Sequence, residues 1–377
     1  MKDSRYTRRW KNPRWYLRRA APYAKRLAPA AWLAAPLLAA LLLPLAVVAP
    51  RHGQAPQPAP PQRTAAPAVQ APAAENIPQP QVSVYLSRSG QIETLPLEDY
   101  VSGVVAAEMP ADFELEALKA QAVAARTFIA RRLVAGDVSG VPVPGANVTD
   151  TVTHQAYVSS KKLKADFTPV QQEKIHRAVL ETRGVIMTYN GQPITASFFA
   201  SSGGYTENSE EYWRGTVPYL RSVASPWDKE ITPNYAVTSA FTAQELISKL
   251  GAGNAAVPAI KDLSASGKDG TSVSSPSALP MEVLSLTTGH RIKEISIGGQ
   301  VFTGREVREK LGLRSSQFSW KRKGDQILIT TYGNGHGVGM SQWGANGMAK
   351  EGGTATQILK HYYTGITFAQ VSTLLKK

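Results

Sequence analysis

The feature that most constrains this chain is a 24-residue run without a charge, residues 27 to 50, reading LAPAAWLAAPLLAALLLPLAVVAP. At about 1.5 Å per residue, a helix of that length crosses roughly 30 Å of hydrocarbon. Pro29, Pro36 and Pro44 would break a soluble helix but are better tolerated in a membrane-spanning one, and Arg51 marks the far end. The run therefore reads as a transmembrane signal-anchor. A cleaved secretory signal is the alternative. Against it, the run is longer than a usual signal core, and its best small-residue site, Val47 to Ala49, is followed by Pro50.

Charge orients the anchor. The 377 residues carry 42 Lys/Arg against 28 Asp/Glu, a net of +14, which taken alone points to a polyanionic partner. Ten of the basic residues and one acid, Asp3, fall in residues 1 to 26, so nine net charges sit in a short arm before the span. The positive-inside bias puts that arm in the cytoplasm and everything downstream outside. The remaining +5 is mild, suits an anionic wall polymer and does not call for nucleic acid. Residues 51 to 81 are rich in Pro and Ala, and nine prolines lie between 50 and 81, which makes this an extended, semi-rigid spacer. In polyproline II geometry it reaches on the order of 90 Å, enough to hold a domain well off a membrane. The absence of cysteine excludes a disulfide framework, a thiolate nucleophile and a Cys-ligated metal.

The folded part is expected from residue 82 to 377. Val82 to Leu86 alternates as a strand, and Leu97 to Met109 reads as a helix that starts after Pro96 and is stopped by Pro110. A second helix is predicted from about Glu114 to Val134. Capping boxes at Thr168 to Gln171, Thr242 to Glu245 and Thr303 to Glu306 mark three later helix starts. Strands are predicted at Val185 to Tyr189, Pro193 to Phe199, Ile292 to Ile297 and Ile327 to Tyr332, with a loop insertion at 251 to 280. The pattern is α+β, with mixed helices and mainly antiparallel strands around one cleft.

Three constellations can carry chemistry. Leu97, Val101, Val104 and Glu108 share one helical face, so Glu108 lies on the apolar side at the helix's C-terminal end. Burial and the negative end of the helix dipole both favour its protonated form, which is what a general acid needs. In the second helix Arg126 sits in the stripe Leu115, Leu118, Ala122, Ile129, Leu133. A buried guanidinium requires an acceptor, but pairing with Glu108 would lower the pKa of that acid, so Arg126 reads as a substrate or scaffold anchor, or as half of a structural ion pair.

The second constellation is YGNGHGVGMSQWGANGMAKEG, residues 332 to 352, between a strand and a helix near Ser341 to Lys350. It lacks the third glycine of a dinucleotide fingerprint and any Walker pattern. His336 is a candidate proton shuttle, and Gly337, Ser341 and Gln342 are candidate contacts to a polar substrate. The third is SFFASSGGYTENSEEYW, residues 197 to 213. Here Ser201, Ser202 and Thr206 flank Gly203 and Gly204, and acids, Tyr212 and Trp213 follow. There is no G-x-S-x-G elbow, and hydroxyls with aromatic faces suit carbohydrate. His154 has no second ligand at a recognisable spacing, so no metal is expected.

Taken together, LPLEDYVSGVVAAEMP (95 to 110), LEALKAQAVAARTFIARR (115 to 132), ASSGGYTENSEEYW (200 to 213), PYLRSV (218 to 223) and GHGVGMSQWGANGMAKEG (335 to 352) resemble the stage II sporulation protein D family. That family includes engulfment lytic transglycosylases of spore formers and amidase enhancers of Gram-positive walls. The resemblance implies cleavage of the MurNAc–GlcNAc bond of peptidoglycan, preferably in glycans stripped of stem peptides, with Glu108 as the catalytic acid and Arg126 as the family's helix Arg. It further implies an engulfment partnership with an amidase and an integral membrane protein, and a place on the cell membrane facing the wall or the space between mother cell and spore. Some members carry a zinc held partly by cysteine; with no cysteine here, the metal is not carried over, and no cofactor is expected.

A lytic transglycosylase manages with one carboxylate, because the substrate's own C6 hydroxyl attacks the oxocarbenium-like centre. A muramidase needs a second across the scissile bond, for which Glu207, Glu211 and Asp228 are candidates. A non-catalytic enhancer of an amidase needs neither.

Overall fold

The computed structural model describes residues 79–251 and 279–375. The expected membrane span, the spacer up to residue 78 and nearly all of the expected loop insertion lie outside the described residues. Among the described residues no helix is long and apolar enough to cross a membrane. The architecture is α+β with mostly antiparallel strands, as the sequence pattern predicts.

Two hydrophobic cores organise the chain. The larger gathers the first strand, the two N-terminal helices, residues through Leu220, and Val338 to Val371. The first helix, Leu97–Glu108, stops where Met109 takes the extended backbone that Pro110 imposes on it (φ −124°, ψ 141°). The second, Leu115–Ala135, ends on Gly136 with φ 60°. Its expected apolar stripe is only part of its buried surface. Ala117, Ala120, Ala122, Ala124 and Ala125 are all buried, so the helix is packed on nearly every side. It touches the first helix, the Pro169–Leu180 helix, the Val185–Tyr189 strand and the C-terminal helices Gln342–Lys350 and Ala355–Tyr362. Small alanine side chains are what allow so many elements to approach one axis.

Short sheets cover this core. Gln81–Leu86 pairs antiparallel with Gln91–Pro96, a strand the sequence reading did not identify, and parallel with Val148–Thr149. Val185–Tyr189 lies between Thr367–Gln370 and Gln192–Pro193. The strand predicted over Pro193 to Phe199 is broken: only its ends pair, and Phe198–Phe199 runs parallel to Met340–Ser341. That pairing closes a long excursion. Between its two halves the chain builds the smaller core, around Leu246, Ile295, Phe302, Val307, Phe318 and Ile329. Two three-stranded antiparallel sheets frame it. One orders Phe318–Lys323, Gln326–Tyr332 and Ala236–Thr242, and the other Gln300–Thr303, Ile292–Ile297 and Met281–Leu286. All three predicted capping boxes form, and a fourth closes at Thr354 and Gln357.

The reading of Arg126 as a substrate anchor is corrected by its surroundings. The side chain is fully buried and forked onto Glu98, with Nη2 to Oε2 at 2.6 Å and Nε to Oε1 at 3.0 Å. Nη1 donates to the Val185 carbonyl at 3.1 Å, and Glu98 also accepts from the Gly184 amide at 3.0 Å. Glu98 lies in the first turn of its helix and Glu108 at the last, about 15 Å further along at 1.5 Å per residue, so one guanidinium cannot serve both. Arg126 is thus a fastener that ties the start of the first helix to the start of the Val185–Tyr189 strand. Arg126→Met should leave the Glu98 carboxylate, 13% exposed, without its counter-charge. Urea denaturation is expected to register a loss of about 3–5 kcal/mol.

Candidate active site

Glu108 closes the first helix, and two donors from distant segments meet its carboxylate. The Ala156 amide reaches Oε1 at 3.1 Å and Gln342 Nε2 reaches Oε2 at 3.2 Å. The first contact depends on Gly103. A Cβ there would lie 2.2 Å from the Tyr157 ring and 2.6 Å from the Val158 carbonyl oxygen, so only glycine lets the 156–158 segment lie flat on the helix. Val158 then donates to the Gly103 carbonyl at 3.1 Å. The second contact depends on how the Gln342–Lys350 helix docks. Asn346 Oδ1 accepts the Glu114 amide at 2.8 Å, and Trp343 packs edge-on to Phe113 with ring centroids 4.6 Å apart. The loop after Glu108 is thereby pinned to the helix that begins with Gln342.

Burial is the largest influence on Glu108 and pushes its pKa above the ordinary carboxylate range, while the Gln342 and Ala156 donors pull it back. The group is half-buried rather than sealed, so it retains an open side. A protonated carboxyl with access to solvent can give a proton to a bound oxygen.

The candidate serines and threonine are framework residues rather than exposed ligand contacts. Ser201, Ser202, Thr206 and Ser341 are fully buried; the hydroxyls of Ser202, Thr206 and Ser341 bond within the protein, and that of Ser201 is buried without a partner. Asp228, also fully buried, collects Ser202 Oγ and the Ser202 amide, both at 2.9 Å, with Ser225 Oγ at 2.6 Å and Ser341 Oγ. Burial raises the pKa of Asp228 and these donors oppose the rise. Thr206 Oγ1 accepts the Val223 amide and donates to the Arg221 carbonyl. Ser201 exchanges both backbone bonds with Asn334. Gly203 holds Gln317 Nε2 through its carbonyl at 3.0 Å, and Gly204 accepts the Ser225 amide at 2.8 Å. Nothing stands within 4 Å of where a Cβ on Gly204 would be.

His336 is not the proton shuttle the sequence reading allows. Its pKa is lowered to about 4 by burial and by the Arg291 and Arg308 cations, so it is neutral at neutral pH. Nδ1 accepts the Val338 amide at 3.1 Å, and the ring also bonds the Phe198 backbone. The rings of Phe199, Tyr212 and Trp213 surround it at 5.5, 5.5 and 5.6 Å. Tyr212 and Trp213 are half-buried and present aromatic surface. The Gly337 carbonyl accepts the Glu207 amide at 2.8 Å. His154 has both ring nitrogens occupied, by Thr149 and by the Ser139 carbonyl. Among the described residues no group of three or more His, Cys, Asp or Glu could hold a metal.

The three alternative carboxylates are engaged elsewhere: Asp228 as described, Glu207 buried against Arg291 and Thr287, and Glu211 facing Lys293 at 3.4 Å. The hub role of Asp228 and the Ala156 amide escaped the sequence reading. The only available signal for the first was an acid in the stretch SPWDKE, and a backbone donor leaves none.

A family model described as stage II sporulation protein matches residues 85–189. Stage II sporulation protein D of Bacillus subtilis (strain 168) is 46% identical over 299 residues, which span 78% of this chain and 81% of that protein. The protein of the same name from Bacillus amyloliquefaciens is also 46% identical over 299 residues, spanning 78% of this chain and 80% of that one. The amidase enhancer of Bacillus subtilis (strain 168) is 32% identical over 305 residues, 71% of this chain but 40% of the enhancer. With 46% identity sustained over four fifths of a stage II sporulation protein D, the chain belongs to the stage II sporulation protein D family.

Proposed function

We propose that this protein is a membrane-anchored peptidoglycan lytic transglycosylase acting in sporulation, with Glu108 as its acid and base. The observation that carries the reading is a half-buried carboxyl held by two neutral donors and pushed toward its protonated form, while Glu207, Glu211 and Asp228 are occupied elsewhere. One carboxyl suffices for the following chemistry. Glu108 protonates the oxygen joining MurNAc C1 to GlcNAc, the C1–O bond breaks, and an oxocarbenium-like centre forms. The Glu108 carboxylate then takes the proton of the MurNAc C6 hydroxyl as that oxygen bonds to C1. A 1,6-anhydro end results, water is not consumed, and Glu108 is returned protonated. Gln342 and the Ala156 amide hold the carboxylate in place between the two steps, and Tyr212 and Trp213 offer faces for sugar rings.

The uncharged run at 27–50 would anchor the protein in the cell membrane, with the folded part facing the wall at the end of the spacer. The likeness to an amidase enhancer favours an amidase as working partner, and it motivates a second reading in which glycan is bound but not cut.

Purified denuded glycans incubated with the protein should yield anhydro-muramic ends by mass spectrometry, and Glu108→Gln should reduce their rate of formation by about 10²–10⁴. A Glu108→Gln protein with unchanged activity would remove the acid assignment, and glycan binding with no product in either protein would favour the enhancer reading.

The pH profile provides a second check. Activity needs protonated Glu108, so the rate falls as pH rises through its raised pKa. Gln342 works against that rise, and removing its donor should push the pKa higher still. In Gln342→Ala the alkaline limb of the kcat profile is therefore expected to move to higher pH.

A further inference from the structure

Glu207 and Arg291 form an ion pair that is poorly built for stability. Each is only 2% exposed, Arg291 Nε faces Glu207 Oε1 at 3.3 Å, and Thr287 Oγ1 donates to the same oxygen at 2.7 Å. Glu207 Oε2 and Arg291 Nη2 are buried without hydrogen-bond partners. A pair that leaves buried polar atoms unmatched recovers little of its desolvation cost, so stability alone does not account for it.

What the pair does is grip backbone on both sides of His336. Arg291 Nη1 donates to the Gly335 carbonyl at 3.1 Å, and the Glu207 amide donates to the Gly337 carbonyl at 2.8 Å. The guanidinium lies flat on Gly337, where a Cβ would meet its Nε, Cζ and Nη2 at 2.7 Å. The same lobe that supplies Arg291 also holds the neighbouring aromatic. Arg305 covers the Tyr212 ring at 4.5 Å and donates to its carbonyl, and Arg308 Nη1 donates to the Tyr212 hydroxyl at 3.2 Å. Asn208 bonds Thr288, and Lys293 faces Glu211.

We propose that the Glu207–Arg291 pair is a positioning clamp through which the smaller lobe sets the His336, Tyr212 and Trp213 wall that receives the glycan. The assignment of that wall to sugar rests on the function proposed above; the clamp itself rests on the contacts just given. Arg291 and Glu207 do not touch substrate. They fix where the aromatic faces stand, so their loss should show in substrate affinity more than in the chemical step at Glu108.

The test uses the whole protein with Arg291→Met and with Glu207→Gln/Arg291→Met. The single change strands a buried carboxylate and is expected to destabilise; the double change leaves no lone charge and should melt close to wild type. In the double variant KM for denuded glycan is expected to rise about tenfold, equivalent to about 1.4 kcal/mol, with kcat within about twofold. By NMR, the His336 ring should titrate above its present value of about 4, because Arg291 no longer opposes its protonation while Arg308 still does. The Gly335 and Gly337 amide signals should shift. A double variant with unchanged KM would overturn the proposal and leave the pair a packing feature, whatever the His336 and glycine signals do. If wild type neither binds nor cuts glycan, the function proposed above fails, and the Tyr212 and Trp213 ring signals decide the clamp, unmoved rings in the double variant overturning it.

Discussion

The candidate site depends on one buried carboxylate whose bonds are all internal to the framework. Asp228 is removed from water entirely, which is costly for an ionised group unless donors replace the solvent. Donors from Ser202, Ser225 and Ser341 do so, and they come from chain segments far apart in sequence. Ser341 is the consequential one. The oxygen that donates to Asp228 also accepts the Gly344 amide at 3.2 Å and so caps the helix that Gln342 begins. Ser225 in turn contacts the Tyr362 hydroxyl at 2.7 Å, carrying the connection into the last large helix of the core. Remove this hub and the helix start that aims Gln342 at Glu108 loses its fixed point.

Three acids show how environment assigns roles to one functional group. Glu98 meets a fully buried guanidinium and serves as its counter-charge. Asp228 meets a shell of hydroxyl and amide donors and serves as a hub. Glu108 is half-buried and receives only two neutral donors, and of the three it is the least compensated. Of the three, a carboxyl poised in this way is the one best suited to change protonation state, and the others hold the geometry around it.

The parts of this arrangement that were legible in the sequence are those encoded locally. Pro96 and the Met109-Pro110 step bracket the first helix, the spacing of Leu97, Val101 and Val104 puts Glu108 on its inner face, and the capping boxes mark three helix starts. What escaped was set by long-range offsets. Whether Arg126 meets Glu98 or Glu108 depends on how far the second helix slides along the first, and the 109–114 loop fixes that through Asn346 and Trp343, more than 200 residues away. Buried serines look the same in sequence as exposed ones. The strand predicted over Pro193 to Phe199 failed because its pairing changes partner midway: the Ile194 amide still donates to Met187 at 3.2 Å, the Thr195 amide turns to the Tyr219 hydroxyl, and Phe198–Phe199 pairs with Met340–Ser341.

The glycine-rich loop acquires a different meaning from the one its composition invites. Gly337, at φ 92°, is not open to receive a ligand backbone; its missing side chain is replaced by the Arg291 guanidinium of the smaller lobe. The loop therefore runs through a junction, with the Phe198–Phe199 strand of the main core on one side and Arg291 on the other. Its far end becomes Ser341 and Gln342, which reach Asp228 and Glu108. A single short segment thus carries contacts to the smaller lobe, to the aromatic wall and to the acid. Bulk has no room at its glycines: a Cβ at Gly333, Gly335, Gly337 or Gly339 would come within 2.7 Å or less of Ser201 and Ser202, Phe199, Arg291 or Ser197, the elements that fix the path of the chain to Gln342 and Glu108.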